Sequence, residues 1–373
     1  MVRVFFSYKM MKDYIIVGSG LAGIAFAETL LQHNKSFVVF ENQSQNSSSI
    51  AGGLYNPVIL KRFSQVWNAN QQLELANSFY AAIEKKLGVQ FDFKIPIYRK
   101  FFSVEEQNNW FAASDNPNLS AFLSTTIVHK NYNGIDAPFG YGQVMQTGYV
   151  DTIALLIHYH NYLNGTHLAS LIFQHYLKDL NLFASDTFDY TEVKAFDDHI
   201  EYKNIKSKHI VFAEGFGMHS NPFFNYLPLD GTKGELFIIR AADLDLDVII
   251  NTSVFILPLG DNLYKVGATY NWKDKTNTPT QEGKQELIDR IKEILNCNFE
   301  IIEHFAGVRP TVKDRRPLLG THPKHKNFHI LNGLGTRGVM LAPAMANDLF
   351  DFIENGKPLD KTIDIKSFFG ANI

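Results

Sequence analysis

Three glycines and one carboxylate carry the first chemical signal. Gly18, Gly20 and Gly23 lie in YIIVGSGLAGIAFAETLLQHNKSFVVFE, which runs from Tyr14 to Glu41. In the spacing GxGxxG the first glycine permits a tight turn and the second lets a pyrophosphate approach the backbone. The third lets the following helix pack on the strand. The N–H groups and dipole at that helix start then face the phosphates. With Ser19, Leu21 and Ala22 between the glycines, the segment reads as a dinucleotide cradle. Glu41, followed by Asn42, closes the next strand, where a carboxylate holds ribose hydroxyls and repels the 2′-phosphate of NADP.

The loop alone does not separate NAD from FAD. A second glycine-rich turn, NGLGTRGVMLAP at residues 332–343, opens another helix. Two helix starts aimed at one cofactor suit a flavin. One meets the pyrophosphate and the other the N1–C2=O edge, where charge accumulates on reduction. A glycine turn entering a packing helix accounts for the same residues equally well.

The elements that must hold these turns follow from hydrophobic periodicity. YIIVG and SFVVFE are short apolar runs of buried parallel strands, and Leu21, Ile24, Ala25, Leu30 and Leu31 follow helical spacing between them. A long helix is expected from about Gln65 to Leu87, stopped by Gly88. Residues 89–146 are rich in Asn and aromatics, with short strand-like pieces. Asp151 is placed to cap a helix in GYVDTIALLIHYHNYL that ends at Asn164-Gly165. HIVFAEG is a further buried strand, residues 234–270 are repeatedly strand-like, and NFHILN leads into the second glycine turn. In NLYKVGATY, strand alternation puts Leu263, Lys265, Gly267 and Thr269 on one face.

Composition narrows the class. The chain has 373 residues, 45% apolar and 20% charged, which is ordinary for a globular protein of two domains, or of one with a large insertion. Thirty-five basic against 38 acidic residues give a net charge of −3, which disfavours a nucleic-acid partner. The single cysteine, Cys297, forbids an internal disulfide and fits a reducing cytoplasm. No apolar run approaches the about 18 residues of a membrane span, and MVRVFFSYKM lacks a signal-peptide cleavage pattern. Met10 and Met11 just ahead of the first strand make residues 1–10 a candidate upstream extension. The expected location is cytoplasmic.

Six motifs in order carry a resemblance: the GxGxxG with Glu41, SSSIAGGLYNP, GYVD, HIVFAEG, FAGVRPTVKDRRPLLG and GLGTRGVMLAP. Together they resemble the D-amino-acid oxidase superfamily of FAD-dependent oxidoreductases, the branch with glycine oxidase, sarcosine oxidase and the oxidase domain of a bacterial tRNA-modifying enzyme. The resemblance implies an α/β fold. A Rossmann-like FAD-binding domain from residues 11–60, 147–229 and 304–373 interleaves with a mixed-sheet substrate domain from 61–146 and 230–303.

It also implies roles. Ser49, Ala51, Gly52, Gly53 and Leu54 would wrap the pyrophosphate and isoalloxazine, and Val193 would meet the adenine through its backbone. Ala213, Glu214 and Gly215 would close over the cofactor. Gly333, Leu334, Gly335, Thr336, Arg337 and Gly338 would face the flavin pyrimidine ring. Arg309 matches the arginine that binds the substrate carboxylate in glycine-oxidase-like members, where a guanidinium fork pairs bidentately. A structural salt bridge to Asp314 is its other reading. Lys265 falls where sarcosine-oxidase-like members keep a lysine near flavin N5 that promotes reaction with oxygen, although a solvated strand lysine reads the same. Thr269 stands where those members carry a histidine.

Two departures are informative. AEG replaces the usual AAG, so Glu214 puts a charge beside the cofactor. Pro310-Thr311 occupies the position of the covalent flavin cysteine, so FAD is expected to be non-covalent. The histidines of THPKHKNFH match no zinc spacing and read as solvated surface, with no metal site. The implied activity is oxidation of an amine or amino-acid C–N bond with oxygen or another acceptor. A flavin dehydrogenase, a tRNA-modifying oxidase and a non-catalytic flavin subunit are the alternatives.

Overall fold

A computed structural model of the protein describes residues 11–165, 181–184 and 187–369. The extension at residues 1–10 lies outside them. Two eight-stranded sheets organise the chain.

In the first sheet, the strands Asn181–Ala184, Phe37–Phe40, Lys12–Val17 and Ile205–Phe212 lie side by side in parallel. The last of these divides its edge. Its first half pairs antiparallel with Ile200–Tyr202 and its second half parallel with Phe328–Asn332. Ile15, Ile16 and Val38 are almost fully buried because both faces of the sheet are covered. The helices Leu21–Gln32 and Gly338–Asn355 pack on one face. Phe188, Tyr202, Met218 and Phe224 fill the other.

The register explains why the glycine turns meet. Val17 is level with Phe40 and with Phe212, and Phe212 with Ile330. All four strands therefore deliver their next residues to one carboxyl edge: Gly18, Glu41, Ala213 and the turn after Asn332. Ligands bind at that edge of an open α/β sheet.

The second sheet runs in the order Glu300–Arg309, Thr232–Arg240, Leu263–Gly267, Phe255–Gly260, Ile249–Asn251, Ile97–Lys100, Tyr141–Val144, Leu123–Val128. Only Ile249–Asn251 and Ile97–Lys100 pair parallel, so the sheet is mixed. The helix Gln281–Lys292 covers its core of Phe237, Ile239, Leu287 and Ile291. Arg309 ends one strand opposite Thr232, which carries it to the junction with the first sheet.

Local structure departs from the sequence reading in three places. The long helix begins at Ala69, because Ser64–Gln65 is used in a hairpin with Val58–Ile59. It ends at Gly88 in the left-handed conformation, as read. Val104–Ser114 is a helix in a region read as strand-like. Ser103 accepts the Glu106 N–H at 3.2 Å, and Glu106 accepts that of Phe102 at 2.9 Å. Gln281–Lys292 is likewise capped, by Thr280 on the Gly283 N–H. S-x-x-E at 103–106 was the legible signal.

The third departure concerns the histidines. His329 is 2% exposed within the strand Phe328–Asn332 and touches His209 and Thr321 through its two ring nitrogens. His322 and His325 pack on each other and against Phe223. Aromatic packing, not solvation, places this cluster, and burial pushes the His329 ring well below its usual pKa. Among the described residues no group of metal-ligating side chains forms, and no helix is long and apolar enough to cross a membrane.

Candidate cofactor and substrate site

The glycine turn is built on close approaches. Gly18 has φ +98°, and a Cβ there would lie 2.5 Å from the Ala213 carbonyl oxygen. A Cβ on Gly23 would lie 1.9 Å from the Gly18 oxygen, so the helix Leu21–Gln32 can seat on the turn only without one. Gly20 precedes that helix without a side-chain cap, while the Leu21 N–H reaches Ser48 Oγ at 3.2 Å. Glu41 turns back onto the loop. Its Oε2 accepts the Ser19 N–H at 2.5 Å and its Oε1 that of Gln43 at 2.6 Å. Ser19 Oγ meets His160 Nε2 at 2.8 Å, tying the turn to the helix Thr152–Leu163.

One cavity of about 1840 Å³ runs from this turn to the second sheet. Of the residues expected at a cofactor, Gly18, Gly20, Leu21, Ala22, Glu41, Asn42 and residues 51–54, 213–215 and 333–338 all line it. Ser19, Gly23, Ser49 and Val193 stand behind the lining. Ser49 Oγ bonds the Asn46 carbonyl, and Val193 pairs with Tyr202 in a hairpin. Thr187, Phe188 and Tyr190 line that end instead.

Both uncapped helix starts open on this cavity. Gly338–Asn355 begins after Arg337 with no side-chain cap, and a Cβ on Gly338 would meet Leu21 at 3.1 Å. Two helix starts without an N-cap side chain, and so two positive dipole ends, therefore serve one space, with the Leu21 N–H already held by Ser48. With the Cβ-free floor at Gly18 and Gly20, this fits a long dianionic dinucleotide.

Glu214 is the charge anomaly of the motif, and the structure explains how it is held. Its carboxyl accepts hydrogen bonds from Tyr190 Oη and, at 2.7 Å, from Asn221 Nδ2. Burial pushes it up to about 7 and nearby Glu41 adds to the rise, while the two donors oppose it. Neither Tyr190 nor Asn221 stood out in the sequence, because each reaches Glu214 through a turn and not through a motif.

At the far end, Arg309 lines the cavity. Its guanidinium donates to the Thr269 carbonyl at 3.3 Å and lies 4.7 Å from the centre of the Tyr270 ring. Gly234 makes the space, since a Cβ there would come within 1.9 Å of the guanidinium. Among the described residues no carboxylate pairs with Arg309, and Asp314 instead accepts the N–H of Arg316. Burial, with Arg315 adding to it, lowers the Arg309 pKa, but a guanidinium remains charged.

Thr269 and Lys265 are placed differently from their neighbours. The strand Leu263–Gly267 stops before Thr269, so alternation does not carry through. The Thr269 hydroxyl is buried and accepts the Glu235 N–H at 2.9 Å, whereas Ala268, Tyr270 and Trp272 line the cavity. Lys265 lies behind the lining and donates to the Ala51 carbonyl at 3.0 Å. Burial lowers its pKa, with Asp151 opposing.

Comparison with known proteins places this architecture. The family described as FAD dependent oxidoreductase, abbreviated DAO, matches residues 13–351, and the chain belongs to it. It is an FAD-dependent oxidoreductase with a Rossmann-like fold. Glycine oxidase of Bacillus subtilis (strain 168) is 22% identical over 374 residues, covering 92% of this chain and 93% of the relative. The tRNA 5-methylaminomethyl-2-thiouridine biosynthesis bifunctional protein MnmC of Marinobacter nauticus is 29% identical over 191 residues, 46% of this chain and 30% of that protein. The crystal structure of L-proline dehydrogenase from P. horikoshii superposes with a TM-score of 0.73 at 14% identity, covering 94% of this chain and 95% of that one.

Proposed function

We propose that the protein oxidises the C–N bond of a small amine or amino acid whose carboxylate is received by Arg309. The single observation that carries this is a guanidinium facing the cavity, held by a carbonyl and an aromatic ring, with no carboxylate of its own among the described residues. A planar fork held in this way is prepared for a carboxylate. The relatives named for glycine oxidation point to the same substrate class.

Residues 18–22, 41–42, 51–54, 213–215 and 333–338 would hold FAD without a covalent bond, the pyrophosphate at the Leu21 helix start and the flavin ring near Gly338. When bound, the flavin supplies a two-electron acceptor for the hydride of the substrate α C–H. Arg309 orients that C–H through the carboxylate, and the nitrogen lone pair completes the C=N bond as the hydrogen leaves. The resulting iminium then takes up water to give a carbonyl compound and an amine or ammonia. Electrons leave to oxygen or another acceptor. Lys265 acts on the loop 51–54 through the Ala51 carbonyl. In this reading the first sheet serves the cofactor and the second the substrate, with the strand Glu300–Arg309 crossing the expected boundary at 303/304.

The test is an anaerobic amine panel on the purified yellow protein. Bleaching near 450 nm (roughly the flavin absorbance maximum) by glycine-type amines supports the reading. No bleaching by any α-amino or N-substituted carboxylate, with bleaching by amines lacking a carboxylate, would sink it.

A further inference from the structure

Beyond Arg309, the cavity mouth carries a concentration of positive charge that the reading above leaves unused. Arg62, Lys313, Arg315 and Arg337 all line the cavity. Among the described residues none of them has a carboxylate within ion-pair distance. The like charges are close enough to be felt. The Arg337 guanidinium is depressed by burial and then by Arg315, Arg316 and Arg62, and Arg309 by burial and by Arg315. Arg315 and Trp272 line the same cavity as Arg309, Arg62 and Arg337.

The acidic groups nearby are occupied elsewhere. Asp314 bonds its own turn, Glu106 pairs with Arg99, and Asp360 faces Arg316. Arg315 is also pre-positioned: its guanidinium lies 5.2 Å from the centre of the Trp272 ring, and both line the cavity. Arg62, Lys313 and Arg315 are exposed and Arg337 is partly buried, so the rim presents solvated positive charge that attracts an entering anion.

We infer that the substrate carries a second anionic group, a carboxylate or a phosphate, which Arg62 and Arg315 receive while Arg309 holds the first. The inference rests on the Arg309 reading for the first anion only. It makes the preferred substrate a dicarboxylic or phosphorylated amino acid or N-substituted glycine, and not a simple monocarboxylic amine.

Unreactive acids test this on the FAD-loaded enzyme without turnover. The visible flavin spectrum is titrated with propionate, succinate and 3-phosphonopropionate, in the parent and in an Arg62→Gln/Arg315→Gln variant whose FAD content is measured first. Succinate or the phosphonate should bind at least about tenfold more tightly than propionate, and the better of the two identifies the second anion. The gap should close to roughly threefold or less in the variant and shrink with added salt.

Equal affinities in the parent overturn the inference, as does a gap that persists in the variant. Loss of FAD from the variant also overturns it, because the arginines would then serve the cofactor. So does displacement by a short RNA hairpin with no discrimination among the three acids. The two readings fail separately. A succinate effect untouched by Arg309→Gln but abolished in the double variant sinks the Arg309 reading and keeps this one.

Discussion

The guanidinium carbon of Arg309 lies 4.7 Å from the centre of the Tyr270 ring, and its Nη1 donates to the carbonyl of Thr269 next in the chain. One short segment after the strand Leu263–Gly267 therefore fixes the cation that faces the cavity. A cation over an aromatic face is worth about 1–2 kcal/mol where water is excluded. Tyr270→Ala should raise KM about tenfold while leaving the maximal anaerobic reduction rate within a few-fold. Tyr270→Phe should behave like the parent. Arg309→Ala removes the carboxylate partner itself and should lower kcat/KM by about 100-fold. Steady-state kinetics with a carboxylate-bearing amine read KM and kcat/KM, and anaerobic rapid mixing reads the reduction rate.

Glu214 predicts a pH dependence whose sign is fixed. Its carboxyl is raised from 4.5 to about 7, mainly by burial, so the folded protein holds the proton more tightly than the unfolded chain. The stability this contributes is complete below the unfolded value and is lost as pH rises through about 7. At about 1.4 kcal/mol per pKa unit, the loss is on the order of 3 kcal/mol. Thermal melts should show Tm falling between about pH 4.5 and 7, and Glu214→Gln should flatten that slope. An unchanged slope in the variant would assign the dependence to other groups.

Gly18 combines a close backbone approach with a positive φ. A methyl group would have to occupy space 2.5 Å from the Ala213 oxygen at φ +98°. Gly18→Ala should purify with little bound flavin and a Tm several degrees lower, as expected for strain of about 1–3 kcal/mol. The ratio of visible to ultraviolet absorbance measures the first effect. Gly88→Ala is the contrast. It also has positive φ, but nothing lies within 4 Å of the added methyl, so flavin content should not change.

Lys265 reaches the Ala51 carbonyl from behind the cavity wall. Lys265→Met should weaken FAD binding about tenfold, a charge-assisted hydrogen bond being worth about 1.5–3 kcal/mol. Isothermal titration of the flavin-stripped variant checks it. Unaltered FAD affinity combined with slowed reoxidation by oxygen would instead give Lys265 a direct part in the oxygen step.

What the sequence determined by itself is local. GxGxxG required glycine at 23 because the helix start closes on the Gly18 carbonyl, a constraint that acts within a few residues, whereas the approach of Ala213 to Gly18 comes from a distant strand. Buried runs such as YIIV and FVVF defined strands covered on both faces, and Asp151 and Gly88 marked helix ends by their own cap chemistry. The resemblance, likewise, rested on short motifs in order. The tertiary structure decided which of those residues share a surface. Parallel register brought Gly18, Glu41, Ala213 and Gly333 to one edge although more than 300 residues separate the first from the last. Alternation along NLYKVGATY placed Thr269 with Lys265, but the strand ended at Gly267 and Tyr270 took the cavity position. Tyr190 and Asn221 around Glu214, and Trp272 beneath Arg315, carried no signal of their own. Contacts between side chains far apart in sequence depend on where the backbone of two sheets meets, and no local preference encodes that junction.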